Sequence, residues 1–279
     1  MRWPLRYVNS RGESVDFSGE AGPYHYGKSD LFDFSLETKT TGGRIRGFSA
    51  GMREYELFVF MVGGSLAERD RFIDIVSYDT RLAAPGTLYA GSSRLSCYFL
   101  SVKPSNYALY ESRADFECVV VTDRPVWVRS VTQSLAVKKS DDEDGLGYPH
   151  GYPHGYGFDS GSSDVVVNPF QLPAKADIAF GGPCSSPYIN IAGNRYQVNE
   201  RIDRGQLIIV RGFGDAPSIV MRSRDGTERS ILAKGVRKRK ENAHVFAEVP
   251  VGRCPANWGA YPVEVTLYEE RYTPSWQGL

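Results

Sequence analysis

The chain has no apolar run long enough to cross a bilayer, and Met1-Arg2-Trp3-Pro4-Leu5-Arg6 lacks the continuous apolar core of a secretory leader. Folding in a cytoplasm is the expectation. Cysteine is scarce: Cys97, Cys118, Cys184 and Cys254 lie far apart, without the paired spacing of a metal site or the density of a disulfide framework. Reduced thiols are expected, with Cys97 and Cys118 acting as small core hydrophobes in strand-like runs. Net charge is also missing, since 33 basic residues balance 33 acidic ones over 279 positions. Residues 1–140 carry 18 basic and 16 acidic groups, 141–164 none and 6, and 165–279 carry 15 and 11. That distribution excludes the strong basic field of a nucleic-acid-binding protein.

Catalytic signatures are equally sparse. There is no Gly-x-Ser-x-Gly elbow, no His-Glu-x-x-His helix and no phosphate-binding Gly-x-x-x-x-Gly-Lys loop. Two of the four histidines, His150 and His154, fall in a Gly/Pro tract, which leaves His25 and His244 as the general bases of that type. A carboxylate pair for glycoside hydrolysis cannot be picked out by spacing. The chain therefore reads as a non-enzyme without cofactor.

What the sequence has instead is a break in its middle. The acidic run Asp141-Asp142-Glu143-Asp144 precedes Gly147-Tyr148-Pro149-His150, repeated as Gly151-Tyr152-Pro153-His154 and fading into Gly155-Tyr156-Gly157-Phe158. Gly or Pro at nearly every second position removes both helix and central strand. Residues 141–164 thus read as a strap whose Tyr148, Tyr152, Tyr156 and Phe158 dock on a neighbouring surface. His150 and His154 are four apart, but Gly151 and Pro153 prevent the helix that would align them as metal ligands, so solvated histidines are expected.

Residues 1–140 read as a β barrel or split sandwich with one helix. Phe32, Phe34 and Leu36 alternate with polar neighbours as in a half-buried strand, and Tyr55 to Val62 is apolar enough for a strand buried on both faces. Ser65-Leu66-Ala67-Glu68 is a capping box opening a helix to about Leu82, stopped by Pro85-Gly86. Leu95 to Val102, Arg113 to Thr122 and a stretch from Trp127 to about Val137 read as strands.

Residues 165–279 read as a β-sandwich of short strands: Ala176–Phe180, Tyr188–Ile191, Arg195–Val198, Leu207–Val210, Ser218–Arg222, Glu228–Leu232, Val245–Val249 and Val263–Tyr268. Ala192-Gly193-Asn194 and Asp225-Gly226 supply tight turns. Arg237-Lys238-Arg239-Lys240 is expected in a solvated loop, as a partner contact or a polyanion site.

The order of these features resembles the distal tail proteins of long-tailed bacteriophages, also called siphovirus tail components. The resemblance runs from Tyr7-Val8-Asn9-Ser10-Arg11-Gly12-Glu13-Ser14-Val15, through the helix after Gly63-Gly64-Ser65, the turn Asp123-Arg124-Pro125-Val126-Trp127 and the Tyr-Pro strap, to Tyr268-Glu269-Glu270-Arg271-Tyr272-Thr273-Pro274-Ser275-Trp276. In the strap this chain places Gly and His where the family carries aromatic and acidic residues. The resemblance implies a structural protein at the virion tail tip, assembled in the bacterial host cytoplasm. Its N-terminal domain would form a ring, generally a hexamer, that joins the tail tube to the tip and lets DNA pass. A galectin-like or carbohydrate-module-like C-terminal sandwich would hold receptor-binding or other tip proteins, with neither sequence-specific DNA binding nor membrane insertion.

Ring closure requires two different complementary surfaces per protomer, and Gly19–Asp30 and Ala83–Ser93 are candidate arms. A carbohydrate-binding or adhesin-like module is the competing class. On that reading Trp258 and Tyr261, in the Gly/Pro-rich stretch 257–262, would face a cell-surface glycan; otherwise Trp258 plugs the end of the sandwich.

Overall fold

The computed structural model of the chain describes residues 4–107, 113–135, 165–214 and 216–275. They fall into two compact units, Met1–Arg129 with Glu270–Leu279, and Ser130–Glu269. This division differs from the expected 1–140 and 165–279, because both boundaries lie inside strands. The side chain of Gln133 both donates to the carbonyl and accepts from the N–H of Val167, each at 2.8 Å, which ties residues 130–135 to the second unit. Glu270 pairs with Arg124, and the Ser275 N–H donates to Ser93 Oγ at 3.3 Å, which ties the C-terminal stretch to the first. The strap, with its tyrosines and histidines, lies outside the described residues.

In the first unit the chain runs through β1 (Leu5–Val8), β2 (Ser14–Asp16), β3 (Tyr24–Ser29), β4 (Glu37–Thr41), β5 (Arg44–Ser49) and β6 (Arg53–Val62). Then come α1 (Leu66–Leu82), β7 (Gly86–Ala90), β8 (Ser93–Tyr107), β9 (Arg113–Thr122) and β10 (Trp127–Leu135). The long strand β8 turns the corner of the fold. Its first residues pair with β7, as in Gly86↔Cys97, while Tyr98 onward pairs with β9, so it belongs to two strand layers, β2-β1-β7-β8 and β3-β6-β9-β8. A register shift between Phe99 and Ser101 marks the bend, as bulges do where sheets curve.

Side-chain alternation explains the core between these layers. Tyr55, Leu57, Val59 and Met61 of β6 are buried with Phe116, Cys118 and Val120 of β9. The other face of β6 carries exposed Glu54 and Glu56 and half-buried Phe58 and Phe60, so the strand is covered on one face and not on both as expected. Phe32 to Leu36 is not a strand either. Asp30 receives the Glu56 N–H on its carboxylate and the Asp33 N–H on its carbonyl, which folds the segment into a turn and leaves Phe34 60% exposed.

The helix begins where the capping box sets it. Glu68 N–H donates to Ser65 Oγ, and Ser65 N–H donates to Glu68 at 2.6 Å. It runs to Leu82, the expected end, and closes on Ala83 in the left-handed region. Phe72, Ile75 and Val76 face the core, each such side chain contributing about 1.5–3 kcal/mol, whereas Leu66 is exposed. The same face buries Asp79. Its carboxylate accepts from Tyr7 Oη, from the Ser10 N–H at 2.8 Å and from Ser10 Oγ at 2.5 Å. One turn earlier, the Ile75 carbonyl accepts from Asn9 Nδ2 at 3.3 Å, so β1 and the turn after it are fastened to the helix.

The second unit continues with β11 (Val165–Asn168), β12 (Lys175–Gly181), β13 (Cys184–Ser185), β14 (Tyr188–Ile191), β15 (Asn194–Gln197) and β16 (Arg201–Ile202). It closes with β17 (Leu207–Arg211), β18 (Ser218–Arg222), β19 (Glu228–Ser230), β20 (Arg237–Lys238), β21 (Ala243–His244), β22 (Gly252–Trp258) and β23 (Val263–Arg271). One sheet has the order β19-β18-β17-β12-β23, followed by β10; the other is β11-β22-β14-β15. Ile178, Phe180, Ile208, Val210, Val265 and Leu267 from the first sheet share a core with Val166, Ile189, Ile191 and Tyr196 from the second, as in a sandwich. Val245–Val249 is not the expected strand: Val249 makes a single bridge to Ala174, bonded both ways at 2.8 and 2.9 Å. The strand β22 forms instead, despite Gly252 and Pro255, because β11 and β14 pair with it on both sides.

Replacing Asp79 with Ala strands the buried hydroxyl of Tyr7 and should cost about 2–4 kcal/mol in urea unfolding, with Asn recovering part of the loss. A change under about 0.5 kcal/mol, the range of ordinary surface substitutions, would show the carboxylate to be dispensable. Alkali should act through the buried thiols. Burial raises Cys97 and Cys118 from 9.0 to about 12, so the folded state keeps protons that the unfolded chain releases. Their contribution is complete below pH 9 and is lost between pH 9 and about 12. The double variant Cys97→Ala, Cys118→Ala should flatten that decline in unfolding curves measured across the window.

Candidate functional site

Among the described residues, the sequence-predicted ones divide between the sandwich core and the surface, and two surface hairpins stand out. The first is β4–β5, a two-stranded sheet of its own. Gly42 and Gly43, at φ of 59° and 73°, make the tight turn that joins Thr41 to Arg44. Pairing proceeds Thr38↔Phe48 and Lys39↔Gly47, then skips Arg46 to Thr40↔Ile45. This bulge decides the sidedness of the arm. Residues three apart on a regular strand face opposite ways, but one extra residue returns Ile45 to the face of Phe48, beside Thr38 and Thr40. Glu37, Lys39, Thr41 and Arg44 take the other face. Ile45 is 59% and Phe48 60% exposed, and Met52 just beyond is 70% exposed. The hairpin is therefore amphipathic, with its apolar side open.

The expected arms are not arms. Gly19–Asp30 contains β3, paired with β6, and Ala83–Ser93 contains β7, paired with both β1 and β8. β7 is enclosed between its two neighbours, whereas β3 stands at the edge of its layer, and each is held by inward residues, Tyr24 in β3 and Leu88 and Ala90 in β7. Residues 37–49 are rich in Thr, Lys and Arg and give no apolar alternation in the sequence. The signal that was there is Gly42-Gly43 flanked by runs of Thr and Arg.

The second hairpin is β20–β21. Arg237 and Lys238 pair with His244 and Ala243, and Arg239–Glu241 makes one 3-10 turn between them. The four basic residues are exposed, as expected, although in a hairpin and not an irregular loop. Asn194 supports it by donating Nδ2 to the His244 carbonyl at 3.1 Å and accepting the His244 N–H at 3.2 Å. The guanidinium of Arg237 lies over the ring of Phe246 at 5.4 Å and donates to the Leu232 carbonyl at 3.1 Å. Lys238 Nζ reaches Glu241 at 2.9 Å. Partial burial, then Arg239 and Arg237, hold the His244 imidazole below its usual range.

Trp258 and Tyr261 face inward. Trp258 ends β22 at 5% exposure and Tyr261 is 8% exposed, both within the sandwich core, so neither offers a ring face to a sugar. Sheet alternation sends Cys254, Ala256 and Trp258 inward together. The hydroxyl of Tyr261 accepts from the Tyr188 N–H and donates to the Tyr188 carbonyl, both at 2.7 Å. Of the two histidines expected as general bases, His25 stacks on Phe60 at 5.2 Å and His244 belongs to the basic hairpin.

No family model matches this sequence and no curated protein matches it. Solved structures match it in fold. The SPP1 Dit (gp 19.1) protein, of the hub adsorption apparatus in Gram-positive infecting phages, is 10% identical at a TM-score of 0.53, over 97% of this chain and 100% of its own. A chain of the phage P2 baseplate in its activated conformation with Ca is 12% identical at a TM-score of 0.58, over 98% of this chain and 100% of its own, and the corresponding structure with Sr gives the same values. The mainly β architecture with one helix is thus a Dit-like fold.

Tyr261→Phe removes both bonds to Tyr188 and leaves a part-buried N–H and carbonyl without that partner. The expected cost is about 1–3 kcal/mol in denaturant unfolding. An unchanged midpoint would mean the hydroxyl is not what holds the turn after β22.

Proposed function

We propose that this chain is a structural component of a bacteriophage tail tip. The observation that carries this reading is the coverage of the fold likeness: two independent phage hub and baseplate chains are matched over 100% of their length by 97–98% of this one, at 10–12% identity. Both units are included, so the likeness is to the whole arrangement of elements and not to a common sandwich alone. The proposed role is a ring, hexameric in the family resembled, that joins the tail tube to other tip proteins and conducts DNA without binding its sequence. The ring belongs to the virion tail tip and is assembled in the host cytoplasm. It does no catalysis and needs no cofactor.

Ring closure asks each protomer for an exposed surface that fits a different surface on its neighbour. The open apolar face of β4–β5 meets that need. Ile45 and Phe48 are costly to leave in water yet contribute nothing to the core described above. They are the proposed ring contact, which assigns assembly to the first unit and outward docking of peripheral or receptor-binding components to the second. The near balance of 18 basic and 16 acidic residues before position 141 suits a conduit, since a strongly basic wall would hold DNA and slow its passage.

Native mass measurement should find six times the 31.0 kDa of one chain. The variant Ile45→Asp, Phe48→Asp should fall to monomer with an unchanged melting temperature, because both side chains are exposed. A wild-type chain that stays monomeric at every concentration would sink the ring, and a normal ring from the double variant would remove the hairpin from its interface.

A further inference from the structure

Two shallow grooves of the second unit meet at Arg237. They are lined by six cations, Arg229, Lys234, Arg237, Lys238, Arg239 and Lys240, and by two carboxylates, Glu200 and Glu241. That excess of four equals the whole excess of residues 165–279, which hold 15 basic and 11 acidic groups. The rest of the segment is balanced, and its positive charge is gathered in one place.

Pairing leaves most of the excess available. Lys234 approaches Glu200 at 3.9 Å and Lys238 approaches Glu241 at 2.9 Å, both in largely exposed settings where such pairs are worth little. Among the described residues neither Arg239 nor Lys240 has a carboxylate partner. The guanidinium of Arg237 lies over Phe246 and donates to the Leu232 carbonyl, and the residue is exposed. Apolar surface lies among the charges of the first groove, where Ala233 is exposed and Leu232 half-buried.

We infer that these joined grooves bind an extended, acidic segment of a partner protein, in which carboxylates alternate with apolar side chains. Guanidinium groups take carboxylates through paired, parallel hydrogen bonds, and Arg237 is held ready for one. Leu232 and Ala233 would be covered by the intervening apolar side chains of a peptide. A polyphosphate or a nucleic acid backbone has nothing to place on them. The His244 imidazole, lowered first by partial burial, is lowered further by Arg239 and Arg237, whose positive charge opposes its protonation.

The inference rests on the reading of the second unit as a docking module only for which protein supplies the segment; its chemistry does not depend on a ring. The test uses the full chain and a labelled synthetic peptide of alternating Glu and Leu, followed by fluorescence anisotropy near 0.15 M salt, where exposed charges are screened beyond about 8 Å. The Gln-for-Glu peptide should bind at least about tenfold more weakly, and R237E/R239E/K240E should weaken the Glu peptide by about tenfold or more with an unchanged melting temperature. NMR titration should show the His244 pKa rising when the Glu peptide binds. Equal binding of the two peptides, stronger competition per charge by inorganic polyphosphate or duplex DNA, an unaffected triple variant or a silent His244 would each overturn the proposal. Oligomeric mass, measured on the same samples, reports separately on the ring: a monomer that still binds the peptide loses only the ring, and a hexamer that does not bind it loses only this site.

Discussion

A carboxylate with no access to solvent organises the first unit. Asp79 sits at 0% exposure on the inner face of the helix, and a charge there is tolerable only with donors converging on it. Tyr7 and both donor groups of Ser10 supply them, from the strand and turn that begin the chain. Helix, first strand and first turn are thereby placed by one atom group. The requirement extends to Gly86, where an added β-carbon would stand 2.2 Å from the Tyr7 hydroxyl and 2.4 Å from the carboxylate. The space is needed for the hydrogen bond, so the first residue of β7 has no room for a side chain. Burial drives the Tyr7 phenol upward, with the hydrogen bond to Asp79 adding to the effect, which keeps the hydroxyl a donor.

Local chemistry that is complete within a few residues was legible in the sequence. Ser65 and Glu68 announce the helix start because each satisfies a backbone donor of the other's turn. Tyr188–Ile191 was readable to the residue from its alternation, and Ser218–Arg222 from the short apolar run Ile219-Val220-Met221 between polar ends. Asp79 was not, because nothing adjacent to it says that Tyr7 and Ser10 will arrive from the far end of the chain. The strand β22 was concealed by Pro255 and Gly252, which locally oppose a strand that pairing on both sides sustains.

For the functional surfaces the outcome divides along the same line. Arg237 to Lys240 were visible because four charges in succession have nowhere to go but the surface. What the sequence could not convey is that Arg229 and Lys234 join them, or that Phe246 fixes one guanidinium in place. Gly and Pro around Trp258 and Tyr261 left an exposed pair and a plug at the sandwich end both open; strand alternation and the Tyr188 backbone turn them inward. An amphipathic hairpin built from Thr, Arg and Lys has no apolar run to declare it.

The β4–β5 hairpin also links two features separated along the arm. A two-residue turn at Gly42 and Gly43 obliges Thr41 to meet Arg44, and the longer return strand then has one residue too many, which Arg46 absorbs. A tip with side chains that resist positive φ would favour a three-residue loop, Thr41 would meet Ile45, and the surplus residue would vanish into the loop. Ile45 would then rotate to the polar side while Phe48 stayed where it is. The two glycines at the end of the arm, which touch nothing, therefore govern what the middle of the arm can grip.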